Sequence, residues 1–445
     1  LFVSNNRIVG TSGPSSEPSR LLRNDGGAFV DVTATSGVAA QSSNGRQVGV
    51  LDYNNDGLLD LFIVADALRG SGPTVLLRNK GGLVFEDATA AAGLPPDVHG
   101  LGLAIGDVTG NGWPDIFVAG GARTSSLLQD NRNYLFLANG DGTYRQHPSP
   151  VFDWGPFTRG SEDWVSGAAF GDLNRDGRLD LVVAHHFGTS AETSDGASLR
   201  VYLNRGLDGS GNPIFEDVTA KTGLPRIDTK APHVEVRDFD NDGWPDIYTS
   251  VRIDTPSGPA PLIFTHRGLS GGDPTFTAPA IVNPHYYAGG PVGDFNRDGK
   301  LDVFFPEWRA VLGTAAPPML LQNTGAPGNW LQVRVDAGPG GMGVGARVKV
   351  YRAGTSTLLG LQEVSPAFGF SSSQQAVAHF GLGDEARVDV VVELPFGGPV
   401  YRRNGVPANR LLVMPDGAVE APPHLGLEAT AVSDTSSRFL QPPGG

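Results

Sequence analysis

Apolar residues in this chain come in short runs that alternate with polar ones and stop at glycine, asparagine or aspartate, as in LLDLFIV from Leu58 and LLRN from Leu76. No stretch keeps the roughly 3.6-residue spacing of an amphipathic helix, so the expected elements are short strands joined by tight turns. From Gly328 onward the alternation tightens into LQVRV, ARVKVY and ARVDVVVEL, which reads as a small antiparallel β-sandwich or barrel. No apolar run reaches the ~18 residues of a membrane helix.

The runs repeat. DYNNDGLLD at Asp52, DVTGNGWPD at Asp107, DLNRDGRLD at Asp172, DFDNDGWPD at Asp238 and DFNRDGKLD at Asp294 start 55, 65, 66 and 56 residues apart. A second signature interleaves with them: LLRNDGG at Leu21, LLRNKGG at Leu76, YLFLANGDG at Tyr134, VYLNRG at Val201, LIFTHRG at Leu262 and MLLQN at Met319. A period near 60 residues built from strands and turns fits one four-stranded blade per unit, hence an all-β propeller. Seven blades is the first expectation and six the alternative. The propeller is expected over residues 1–326, the smaller β domain over 327–417 and a Pro/Ser/Gly-rich surface tail over 418–445. The closing strand is expected from the region after Met319 or from that tail.

Composition adjusts this picture little. With 62 Gly and 34 Pro among 445 residues and 39% hydrophobic residues, the chain is rich in turns yet too apolar for disorder. It has no Cys, which excludes disulfides and thiolate chemistry but not export. A formal charge of −14 argues against nucleic acid as the main partner. The first residue is Leu1, and removal of an upstream signal segment is expected, consistent with a secreted, periplasmic or cell-surface location.

The aspartate loops carry the clearest chemistry. Calcium takes six to eight hard oxygens, and alternate residues of a tight loop can turn theirs inward. The candidate ligands of the first loop are Asp52, Asn54, Asp56, the Leu58 carbonyl and Asp60; those of the second are Asp107, Thr109, Asn111, the Trp113 carbonyl and Asp115. The third offers Asp172, Asn174, Asp176, the Arg178 carbonyl and Asp180; the fourth Asp238, Asp240, Asp242, the Trp244 carbonyl and Asp246; the fifth Asp294, Asn296, Asp298, the Lys300 carbonyl and Asp302. An EF-hand would need Glu at the twelfth position and a helix, where the first loop has Ile63 in a β-type run. Capping of turns explains one such loop, but five in register would repel strongly without cations. About five structural Ca²⁺ are therefore expected, weakest at the Asp107 loop with two carboxylates and tightest at the Asp238 loop with four.

These loops and LL-x-N-x-G strands resemble FG-GAP/VCBS repeats. NWLQVRV, GVGARVKVY, QEVSPAFGFSSSQ, HFGLGDEARVDVVVELPFG and ANRLLVMPDG resemble the UnbV/ASPIC domain. The order, propeller then UnbV/ASPIC domain, is that of the cartilage acidic protein family and its bacterial relatives. The resemblance implies calcium-bound extracellular domains and transfers no agreed activity.

Since the metal loops join first to second strands, the opposite face carries what precedes first strands and follows second ones. That set includes His99, Trp164, His233, His285, Tyr286 and Tyr287 on one side, and Arg123, His185, His186, Arg252, Asp254, Glu307, Trp308 and Arg309 on the other. Solvated loops favour Ser, Lys and Gly, so this mixture marks a candidate channel-mouth site. As a binding module it would stack Trp164, Tyr286, Tyr287 and Trp308 on a small molecule, glycan or peptide, with Arg123 and His99 at its edge. As a lyase, cyclase or hydrolase it would use His185, His186, His233 or His285 for proton transfer, with Asp254, Glu307, Arg252 and Arg309 as partners. Adhesion or scaffolding is a third class. The residues differ blade by blade, which favours one composite site over repeated ones. GPGGMGVG at Gly338 lacks a following helix and is not read as a phosphate loop. Joint metal ligation by His185 and His186 would need a loop conformation, because neighbours in a strand point apart.

Overall fold

A computed structural model describes residues 1–3, 19–38, 45–66, 73–120, 133–152, 163–187, 199–225, 233–252, 260–279, 290–305, 318–325, 328–369, 375–415 and 438–439. The alternating runs form strands, and the turns between them form at the glycines. The first blade-like sheet has β1 (Phe2–Val3), β2 (Arg20–Asp25) and β3 (Ala28–Asp31). The second has β4 (Gly45–Leu51), β5 (Asp60–Asp66), β6 (Val75–Asn79) and β7 (Phe85–Asp87). The third has β8 (His99–Gly106), β9 (Asp115–Gly120), β10 (Tyr134–Ala138) and β11 (Tyr144–Gln146), joined to the second by a short parallel β5–β8 pairing. The fourth has β12 (Asp163–Gly171), β13 (Asp180–Phe187), β14 (Leu199–Leu207) and β15 (Pro213–Asp217). The fifth has β16 (Glu235–Arg237), β17 (Asp246–Arg252), β18 (Ala260–Ser270) and β19 (Asp273–Thr277). The sixth has β20 (Val292–Gly293), β21 (Asp302–Phe305) and β22 (Met319–Asn323).

Successive sheets pack face to face through apolar side chains, for example Leu21 and Val38 on Leu61 and Leu77, and Phe239 and Tyr248 on Val303 and Phe305. The first strands β4, β8, β12 and β16 lie side by side along a common axis. The fold is propeller-like, and six units occur among the described residues, the alternative count from the sequence; a seventh does not occur among them.

The second domain has β23 (Asn329–Val335), β24 (Arg347–Arg352), β25 (Leu358–Glu363), β26 (Ala378–Gly383), β27 (Arg387–Glu393), β28 (Val400–Pro407) and β29 (Arg410–Met414). Sheets β26-β23-β29 and β25-β24-β27-β28 face one another across Leu331, Val333, Val348, Val390 and Phe380, so it is a sandwich. From the tail, β30 (Arg438–Phe439) pairs in parallel with β22 and so extends the sixth sheet, not the first.

The space between the inner first strands is filled by the second domain. The segment after β25 enters between the first strands: Ile105 N donates to the Ala367 carbonyl at 3.1 Å and Gly369 N to the Ala168 carbonyl at 2.7 Å. Gln47 Nε2 donates to the Phe368 carbonyl at 3.1 Å. Gly369, at φ +89°, lies against the His233 ring. The inner strands approach so closely that a Cβ on Gly102 would stand 2.1 Å from the Ser166 carbonyl oxygen and 2.6 Å from that of Gly369.

Both neighbours of Gly102 are backbone and cannot swing aside. Gly102→Ala is therefore expected to destabilise the protein by about 3 kcal/mol or more, read as a lowered urea midpoint. A midpoint within error of wild type would show that the axis is loosely packed.

Candidate metal loops and the opposite face

Each loop leaves the end of a first strand and returns as the second strand begins, with one backbone geometry throughout. The fourth residue takes positive φ (Asn55 57°, Gly110 74°, Arg175 58°, Asn241 56°, Arg297 63°), as does the sixth, always Gly. Glycine is needed at that sixth place because its N–H must turn back onto the opening aspartate. Gly57, Gly112, Gly177, Gly243 and Gly299 donate to Oδ2 of Asp52, Asp107, Asp172, Asp238 and Asp294 at 2.7–3.0 Å.

The ninth residue works differently. One oxygen of Asp60, Asp115, Asp180, Asp246 or Asp302 accepts from the N–H of the loop's second residue, Tyr53, Val108, Leu173, Phe239 or Phe295. The other accepts from the third strand, at Asn79, Ala138, Asn204, His266 or Asn323, at 2.7–2.8 Å. The LL-x-N side chain adds a link that sequence reading missed. Asn204 Nδ2 donates to Val108 O and Asn323 Nδ2 to Phe239 O, both at 2.8 Å and both into the loop of the preceding blade. In the fifth blade His266 replaces Asn: its Nδ1 accepts from Gly268 N, so Nε2 donates to Leu173 O at 3.1 Å. Burial pushes His266 down to about 4, keeping it the neutral ring this pattern needs.

These carboxylates are buried together. Burial pushes Asp60 and Asp172 up to about 7 and Asp302 to about 6, and drives Asp115, Asp180, Asp238 and Asp246 well above the ordinary range. In the fourth loop, oxygens of Asp238, Asp240 and Asp246 lie within 4.8 Å of one another and could hold a metal. Oδ1 of Asp238 and Oδ1 of Asp294 are buried with no hydrogen-bond donor. A bare carboxylate oxygen in a shielded acidic cluster is what a hard cation satisfies. Asn54, Asp56, Asn174, Asp176, Asn296 and Asp298 bond among themselves within their loops.

The second domain sits on this face and meets every loop. Gly340 N donates to Gly57 O and Phe396 N to Gly112 O. Glu363 Oε2 accepts from Asp107 N at 2.8 Å, and Arg347 reaches Gly177 O at 2.9 Å and Asp107 Oδ2 at 3.5 Å. Gly383 N donates to Asn241 O, and Gln332 Nε2 to Asp294 Oδ2 at 3.0 Å. The loop poorest in carboxylates, at Asp107, is thus the one that receives a guanidinium. Trp113 packs edge-on against Phe396 at 4.8 Å, whereas Trp244 carries the Arg175 guanidinium 3.6 Å above its ring. The side chains of Arg178 and Lys300 turn to Asn204 O and Gly325 O, which leaves their role to the backbone.

Of the residues expected on the opposite face, Arg123, Asp254, His285, Tyr286, Tyr287, Glu307, Trp308 and Arg309 lie outside the described residues. Trp164 pairs with His186 and Val165 with His185 across β12 and β13, and Arg252 ends β17. His185 and His186 are consecutive strand residues, so the loop that joint metal ligation requires is absent. His99 opens β8, with Nδ1 2.8 Å from Asp97 O. His233, expected at the open mouth, is instead fully buried, 2.9 Å from Glu235 Oε1 and covered by Gly369, because the inserted segment occupies the axis beside it.

Comparison with known proteins agrees with this architecture. The FG-GAP-like repeat profile matches residues 52–118 and 124–183, and that of ASPIC and UnbV matches residues 338–421. The chain carries both. It is similar to cartilage acidic protein 1 of Mus musculus (27% identical over 387 residues, 84% of this chain and 54% of the relative). The Homo sapiens protein of that name matches at 27% over 387 residues, covering 84% and 53%. The chain spans about half the length of these relatives. A solved structure titled for recognition of non-reducing terminal N-acetylglucosamine by an Agrocybe aegerita lectin overlaps 68% of this chain and 74% of its own, at 19% identity and a TM-score of 0.37. Among the described residues no helix is long and apolar enough to cross a membrane.

Protons and cations compete for the loops, which sets a pH dependence. Without metal, Asp60, Asp172 and Asp302 bind protons more tightly folded than unfolded. Their contribution is complete below the unfolded value near 4 and is lost as pH rises through about 6 to 7. In chelator the melting temperature should fall between about pH 5 and 8, whereas with calcium it should hold or rise. A fall of equal size in both would break the link between these carboxylates and a cation.

Proposed function

We propose that the chain is a calcium-stabilised, exported binding protein that takes a single ligand on the face opposite its metal loops. Small molecule, glycan and peptide all fit the aromatic and arginine content of that face. One observation carries this reading: the second domain covers the metal-loop face at every loop and fills the axis from that side. The opposite mouth is then the end of the ring left to a ligand. Acid–base catalysis is the weaker reading, because His233, the candidate proton carrier whose surroundings are described, is sealed from solvent. A role in adhesion, in keeping with the similarity to cartilage acidic protein 1, uses the same face.

The loops would hold five Ca²⁺ through the Asp and Asn side chains and seventh-position carbonyls named above, each ion shielding clustered carboxylates and tying a first strand to a second. Five divalent ions would take the formal net charge from −14 to −4. At millimolar calcium and micromolar affinity one site stabilises by about 4 kcal/mol. Asp242→Ala, in the loop with most carboxylates, should lower both the bound calcium count and the melting temperature. Recovery of fewer than three ions after dialysis, or a melting temperature indifferent to chelator, would remove the metal reading.

The ligand face is tested separately. His186→Ala and Glu307→Gln should abolish binding of a glycan-array or metabolite-library hit while calcium content and melting temperature stay at wild-type values. Variants that lose stability but keep binding would reduce this face to ordinary surface.

A further inference from the structure

A cavity of about 50 Å³ lies where the ring axis meets the second domain, between the ends of β12 and β16 and the strands β25 and β26. Phe170, Phe368 and Phe380 supply apolar wall. Two polar groups on its lining lack the partners their chemistry calls for. Arg237 makes one long hydrogen bond, from Nη1 to Val236 O at 3.3 Å, and its guanidinium stands 4.8 Å over the Phe368 ring. Among the described residues it has no ion pair within bonding distance. Burial lowers its pKa, with the field of Glu235 acting the other way. Arg237 is half-buried, and a guanidinium so placed with no carboxylate in bonding contact can take an anion.

The second group is His379, 3% exposed. Asn241 Nδ2 donates to Gly299 O at 3.0 Å, which fixes that amide and makes Oδ1 an acceptor. His379 Nε2 therefore carries the proton and donates to Asn241 Oδ1 at 3.0 Å. Its Nδ1 is left as a bare lone pair, buried and without a donor. Burial, helped by the Arg237 charge, pushes His379 down to about 3, so the ring stays neutral.

The carboxylates on the lining are held by N–H groups of the loops, save that Oδ1 of Asp238 is the bare oxygen already assigned to the candidate metal site. Asp172 and Asp238 accept from Gly177 and Gly243 inside their loops, and Glu363 holds Asp107 N. The cavity thus presents the Arg237 guanidinium, which has no ion pair in bonding contact among the described residues, beside Arg175, which is turned to Trp244 and Gly243 O, together with the bare His379 nitrogen and aromatic wall. Its volume admits roughly four water-sized groups.

We propose that this interdomain cavity is a binding site for a small hydroxycarboxylate, distinct from the opposite face. Arg237 takes the carboxylate, the ligand hydroxyl donates to His379 Nδ1, and the carbon skeleton lies against Phe170, Phe368 and Phe380. The ligand would bridge β16 of the ring and β26 of the second domain, so binding ties the two domains together.

Titration calorimetry on the full calcium-loaded chain tests this with lactate and propionate as probes, and sodium chloride at matched ionic strength as the control. Lactate should bind saturably, and propionate, lacking the hydroxyl, about tenfold more weakly. Arg237→Gln should weaken lactate binding by about thirtyfold or more, and Arg237→Lys should lose less. His379→Gln should erase the preference for lactate over propionate. Calcium content, measured on every variant, should stay at the wild-type value. No saturable binding of either acid to the wild-type chain, or equal binding of both, overturns the proposal without recourse to any variant; so does undiminished lactate binding by Arg237→Gln.

Discussion

Everything in the ring hangs on a carboxylate with both oxygens in use. The ninth residue of each loop, Asp60 and its counterparts Asp115, Asp180, Asp246 and Asp302, accepts one backbone N–H from the start of its loop and one from the third strand. It fixes the register of three strands at once, from a position where water cannot reach it. Ionised, such a group accepts both bonds well and is costly to bury; protonated, it gives up acceptor strength. The fold groups further oxygens around it, and that grouping is what makes the loop a candidate cation site. Strand pairing and cation chemistry are consequences of the same buried charge.

The second domain extends the same logic. It approaches the loops mainly through donors, namely backbone N–H groups, a glutamine amide and the Arg347 guanidinium, aimed at a face crowded with acceptors; Glu363, which accepts from Asp107 N, is the exception. Close approach needs the small residues on both sides. A Cβ on Gly381 would fall 2.0 Å from Asp238 Oδ2, and one on Gly299 would fall 1.9 Å from the Trp330 indole nitrogen. The interface is therefore specified by glycines as much as by charges.

Much of this was legible in the sequence. Local signals declared the strands and the loops, because turn glycines and alternating runs act over a few residues. The LL-x-N asparagine was legible as a repeat mark but not as a link to the preceding blade, since its partner, such as Val108 for Asn204, lies 96 residues away. SPAFG was visible as a domain signature, yet nothing local tells that Ala367, Phe368 and Gly369 enter the ring. That insertion also explains why His233 is buried when its neighbours in sequence suggested an open mouth. The crowding of inner strands left a mark in the sequence: HGLGLAIG in β8 spends glycines on an inner strand, and at Gly102 a Cβ would meet the backbone of Ser166 and Gly369.

The covering of the loops has a kinetic side. In the fourth loop Asn241 is 1% exposed, held by Gly383 and His379 from above, while Asp238 faces Gly381. An ion lodged there would leave only when the second domain lifts and its inserted segment withdraws from between four strands. Exchange of such an ion would then be timed by a domain motion rather than by the strength of its own bonds. For a cation at that loop, order of assembly would follow as well: it would have to enter before the second domain docks, and the docked protein would keep a record of the medium in which it folded.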